Sequence, residues 1–181
     1  MRSRIHLSLL AALLTTLAQM THAQSADPTE HEVKAAFLYN FAKFVDWPPQ
    51  AFTSADAPLA LCVLGHDPFG AALSAVDGKA ARSRTVQVRR LQHDGAVRDC
   101  HIVFLAAAET VRLRELVATL RGWPVLLVGE SEDFATQGGI INLTVGRENR
   151  VQIEINLNAA QRHGLKISSQ LLRLARIVGG E

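Results

Sequence analysis

Few side chains in this sequence are spaced for covalent or metal chemistry, and the clearest are its two cysteines, Cys62 and Cys100. An even cysteine count in an exported chain reads as a disulfide, with two buried free thiols as the alternative. Closing the loop between them would stabilise the fold by roughly 4 kcal/mol through chain entropy. His66 with Asp67, and Asp99 with His101, set a histidine near a carboxylate. Neither has the i, i+4 spacing of metal ligands on a helix, and adjacent strand residues point to opposite faces. They read as loop and strand-end histidines. Ser131-Glu132-Asp133 lacks the glycine-flanked turn that exposes a serine nucleophile. Gly138-Gly139 precedes a strand, which suits a turn and not a dinucleotide loop. The pattern points to no catalytic group, metal or cofactor, and the chain reads as a non-enzyme.

Binding residues are the other candidates. Phe37, Tyr39, Phe41, Phe44 and Trp47 crowd one segment. Their helical spacing favours core, but Tyr39 falls off the main apolar face and is singled out for partner contact. Lys166, Arg173 and Arg176 form a basic group near the end of the chain. It suits an acidic partner or a phosphate. Its plainer reading is favourable charge at a helix C-terminus.

The elements that must hold these residues follow an export signal. Arg2 and Arg4 precede an apolar run from Ile5 to Leu17, and Thr21-His22-Ala23 offers small residues at the peptidase positions. Residues 1–23 are read as the signal peptide and 24–181 as one domain. The apolar run is short for a membrane span. Two of the 19 basic residues lie in the signal, leaving 17 against 17 acidic, so the formal charge of +2 falls to zero. A neutral domain is a poor non-specific binder of nucleic acid, whose affinity comes from phosphate neutralisation.

Within the domain, Asp27, Pro28 and Glu30 predict the start of a helix carrying Val33, Phe37, Phe41, Phe44 and Val45 on its apolar face. Trp47-Pro48-Pro49 stops it. Strand-like runs follow at 59–64, 85–91, 101–105 and 125–128, with short helices near 69–75 and at 109–120. Runs 140–145 and 150–157 predict a hairpin turning at Gly146, Glu148 and Asn149. A short helix at 158–163 stops at Gly164. Ser168 is expected to cap a last helix with Leu171, Leu174, Ala175 and Val178 on one face and Arg173 and Arg176 on the other. This order predicts a single-domain α/β sandwich: a mostly parallel sheet flanked by helices, with an antiparallel hairpin at its edge.

Several stretches resemble the YfiR family of periplasmic proteins. They are EVKAAFLYNFAKFVDWP from Glu32 to Pro48, LCVLGHDPFG from Leu61 to Gly70 and DCHIVFLA from Asp99 to Ala106. The fourth runs from Gly138 to Val178, as GGIINLTVGRENRVQIEINLNAAQRHGLKISSQLLRLARIV. The resemblance implies a dimer-forming α/β protein that represses a membrane-bound diguanylate cyclase by contacting its periplasmic sensory portion. It also implies an outer-membrane-associated YfiB-like partner that sequesters the repressor, so that cyclic di-GMP rises and favours biofilm formation. Cys62 and Cys100 fall where it places a stabilising disulfide. Relatives under redox control carry a second pair in the hairpin region, which this chain lacks.

Two other classes compete, besides a structural accessory protein for an outer-membrane transporter. One is an extracytoplasmic small-ligand-binding protein serving a sensor or transporter, for which a single domain is small. The other is an envelope hydrolase, against which the missing nucleophile–base spacing weighs.

Overall fold

A computed structural model describes residues 27–92, 94–146 and 150–179. The expected signal segment, and Glu148 and Asn149 of the expected turn, lie outside the described residues. Helix α1, Glu30–Phe44, begins at Thr29 and not at Asp27. Glu32 decides the start: its carboxylate accepts from the Thr29 amide (2.7 Å), while Thr29 Oγ1 accepts from the Glu32 amide (3.3 Å). Two orphan amides are thereby satisfied reciprocally. The buried face is Lys34, Ala35, Leu38, Phe41 and Ala42. Phe37 and Phe44, expected to face inward, are only half-buried. The two alanines let the helix lie close to the sheet, and the bulkier rings flank the contact.

Strand β1 (Val45–Asp46) leads through a 3-10 turn, Pro49–Ala51, into β2 (Leu59–Leu64). Helix α2 (Ala71–Ser74), β3 (Ala80–Ala81) and β4 (Arg84–Leu91) follow, then β5 (Ile102–Leu105). The expected helix at 109–120 divides into a 3-10 stretch, Ala107–Arg112, and α3, Leu113–Thr119. The tighter winding changes the phase of the side chains, and Val111, expected on the inner face, is 91% exposed. Strands β6 (Leu126–Gly129), β7 (Ile141–Val145) and β8 (Val151–Asn156) precede α4 (Leu157–Arg162), β9 (Lys166–Ile167), α5 (Ser169–Leu172) and β10 (Ala175–Val178).

The main sheet has eight strands in the order β10-β8-β7-β6-β5-β2-β4-β3. The ladders from β4 through β7 are parallel, β7–β8 is the antiparallel hairpin, and β10 adds parallel outside it. This is the α/β sandwich read from the sequence. The last segment departs from the reading. Ser168 does cap a helix, its side chain accepting from the Leu171 amide, but that helix ends at Leu172. Residues 175–178 become a strand in register with β8, Ala175 opposite Ile153 and Ile177 opposite Ile155. Ile177 and Val178 are β-branched and favour a strand, and the rim of β8 supplies backbone partners that a short helix would leave unpaired.

Alternation splits the central strands between two cores. Leu61, Val63, Ile102, Phe104, Leu126 and Val128 face α1. Cys62, Leu64, Val103, Leu105 and Leu127 face the other way, against Leu113, Leu116, Leu120 and Phe134. Phe134 lies where two glycines approach it: a Cβ on Gly129 or on Gly139 would fall about 2.3 and 2.2 Å from its ring atoms. Cys62 and Cys100 form a disulfide across β2 and the entry to β5, with Cα atoms 6.1 Å apart. The adjacency of these strands is what brings the sulfurs together.

Candidate functional site

Three surfaces hold the residues singled out above. The first lies at the amino ends of β2, β5 and β6, beside the disulfide. His101 is buried there. Its Nδ1 accepts from the Ala60 amide at 3.0 Å, so the ring proton sits on Nε2, which donates to the Ala51 carbonyl at 3.0 Å. Trp47 Nε1 donates to the His101 carbonyl at 3.2 Å. Phe52 stacks on the imidazole with ring centroids 4.3 Å apart, and the Arg84 guanidinium lies 3.5 Å from the Phe52 centroid. Burial lowers the pKa of His101 to about 4; its bond to Ala51 opposes the shift, and Arg84 and Arg89 add to it. The ring is neutral and serves as a hub, tying the backbone at Ala51 to that at Ala60. It is the strand-end histidine the sequence indicated.

An open cleft of about 660 Å³ runs over this hub, lined in part by Phe52, Arg89, Arg98, Asp99, His101 and Trp123. Arg98 donates to the Thr119 carbonyl at 3.1 and 3.2 Å, with its guanidinium 5.2 Å from the Trp123 ring. The other histidine–carboxylate pair forms no site. Asp67 accepts from the Phe69 and Gly70 amides and from Arg90, and so closes its own loop. Among the described residues no three His, Cys, Asp or Glu side chains gather closely enough to hold a metal ion.

The second surface is the rim of the sheet at β10. Arg173 and Leu174 occupy the turn before the strand, and Leu174 and Ile177 are 72% and 46% exposed. Arg176 pairs with Glu154 of β8, whose other carboxylate oxygen accepts from Asn142 of β7 at 3.2 Å. The expected basic helix face is therefore a strand edge carrying one paired arginine and, just before it, a second exposed one. Among the described residues no carboxylate lies within ion-pair distance of Arg173.

The third surrounds Tyr39. Its hydroxyl donates to the Ala80 carbonyl at 2.7 Å, and Lys43 and Lys79 lie 3.9 and 5.6 Å from its ring centroid. The ring is half-buried and packs against the main core. Tyr39 is thus engaged within the fold, fastening α1 to β3. Lys166 sits opposite Asp46 in the β1–β9 ladder, and Asp46 pairs with Arg82. No hydrogen bond or ion pair joins any two of Tyr39, Lys166, Arg173 and Arg176, which do not converge on one site.

Sequence reasoning passed over Lys34. It is buried on α1, 2.7 Å from Glu130 and 2.5 Å from Glu30. Burial depresses its pKa, but the two carboxylates outweigh that and hold it above the ordinary lysine value. A lysine on the inner side of an otherwise apolar face, four residues after Glu30, was the available signal.

No helix among the described residues is long and apolar enough to cross a membrane. The family described as YfiR/HmsC-like matches residues 31–176, which run from the first turn of α1 into β10. Both cysteines, the His101 hub and the hairpin fall inside that span, and the chain belongs to the YfiR/HmsC-like family.

Proposed function

We propose that this chain is an exported periplasmic regulator that binds the sensory portion of an inner-membrane diguanylate cyclase and holds it inactive, lowering cyclic di-GMP. The observation that carries this is family membership across nearly the whole described domain. Such a protein acts by binding and requires no bond-breaking group. It must bind the inactive cyclase conformation better than the active one, because equal affinity shifts nothing. The rim of β10 is the surface best suited to this contact, since it joins apolar exposure to an unpaired positive charge. The proposal extends to a homodimer and to a YfiB-like partner that sequesters the regulator.

The test is cyclic di-GMP output in cells carrying the cyclase with and without this chain. The wild type should lower output, and Arg173→Glu should restore much of it with an unchanged melting temperature. Equal output with and without the wild-type chain would end the reading.

The cleft over His101 favours a second reading, a small-ligand-binding protein serving a sensor or transporter. Its volume falls in the range of small-molecule sites. A saturable thermal shift with a nucleotide or amino acid would support this reading, and a flat screen would leave the regulator alone.

A further inference from the structure

The two ends of the main sheet are finished differently. At one end β3 lies antiparallel on β4, and the outward residues of β4 are Thr85, Gln87, Arg89 and Arg90. Charged and polar side chains of this kind protect an edge from pairing. At the other end no strand lies outside β10 among the described residues. Its outer rim presents backbone N–H and C=O groups next to two large exposed apolar side chains, Leu174 and Ile177.

We infer that β10 is a strand-addition site, taking an extended acidic segment of a partner protein as a ninth strand of the sheet. The inference rests on the regulator reading and names the mode of its contact. A strand rim selects an extended chain, because only that geometry satisfies its backbone groups. The register specifies the occupant further. Ile177 lies opposite Ile155 on the α1 side of the sheet, and Arg176 lies opposite Glu154, with which it pairs while staying largely exposed, on the other side, with Arg173 just before the strand. An incoming strand therefore meets an apolar side chain on one face and positive charge on the other. Alternating apolar and acidic residues match both.

The same charges disfavour a second copy as occupant. Two copies of β10 would pair antiparallel about an axis perpendicular to the sheet, with the ladder centred on one residue. Centring on Arg176 sets guanidinium opposite guanidinium. Centring on Ile177 leaves the two Arg176 side chains diagonal on one face, still within reach of long side chains. Like charges so placed are destabilising, and each copy adds an exposed Arg173.

The test uses the intact chain and two probes: a short peptide of alternating valine and glutamate, and the purified periplasmic portion of a membrane diguanylate cyclase. Hydrogen exchange at residues 175–178 reads strand pairing directly. Both probes should slow exchange there. Leu174→Glu, which removes the apolar contact and repels an acidic strand, should weaken binding at least tenfold while leaving the melting temperature unchanged, and a valine–lysine peptide should not bind. If the cyclase portion binds without slowing exchange at 175–178, strand addition is overturned while the regulator reading stands. If the cyclase portion does not bind but the peptide does, the regulator reading fails and the strand site stands. Binding of neither probe overturns both. Slowed exchange that grows with the concentration of the chain alone would make a second copy the occupant and overturn the assignment.

Discussion

The disulfide half of the domain and the β10 rim use similar residues to opposite ends. Around Cys62 and Cys100, a histidine, two aromatic rings and an arginine are drawn into one network in which every ring nitrogen of His101 is bonded. At β10, arginines and apolar side chains are left facing outward. The first arrangement fixes the fold, and the second leaves free energy of burial available to a partner. Changes in the first should therefore be read in stability, and changes in the second in association.

The largest expected effect tests the disulfide half. Replacing Cys62 and Cys100 together by alanine should cost about 4 kcal/mol, seen as a lower denaturant midpoint. A loss under 1 kcal/mol would remove the covalent link from the contrast. Next is Lys34→Met, which leaves Glu130 half-buried without its partner. Breaking a buried pair from one side costs about 3 kcal/mol, and Glu130→Gln in the same chain should recover part of it.

Acid titration comes third. The unfolded chain takes up the His101 proton near pH 6.5, whereas the folded chain resists it until about 4. The unfolded state binds more protons in that window, so stability is present above pH 6.5 and declines as the pH falls toward 4. The decline should be on the order of 2 kcal/mol after allowance for residual solvent screening. Protonating Nδ1 would also remove the acceptor for the Ala60 amide. Urea midpoints at successive pH values check this, and His101→Gln should flatten the slope.

The smallest effect on stability, and the one that sharpens the contrast most, belongs to Leu174→Glu. The side chain is mostly exposed, so its replacement should move stability by less than about 0.5 kcal/mol while impairing partner binding. A large stability loss there would show that the rim is part of the core.

The sandwich was legible because its strands alternate and its helices announce themselves. The apolar runs of β2, β5 and β6 and the alternation of β8 each lie within a residue or two of their expected limits. The disulfide was legible once those strands were neighbours. What failed has common physical causes. Residues 171–178 fit a helical stripe and a strand equally well, and the choice was made by a distant partner, the rim of β8. Val111 was misplaced because 3-10 winding has no clear mark in composition. Tyr39 looked free because its acceptor, the Ala80 carbonyl, is remote in sequence and belongs to a two-residue strand. Long-range backbone partners settled each case.

Both sulfurs of the Cys62–Cys100 bridge are almost wholly enclosed, the two residues being 0% and 3% exposed. A small thiol in solution has no line of attack on the closed domain, and exchange must wait for the chain to open around β2 and β5. The pace at which added reductant cleaves the bridge therefore serves as a clock for that opening, independent of any optical probe.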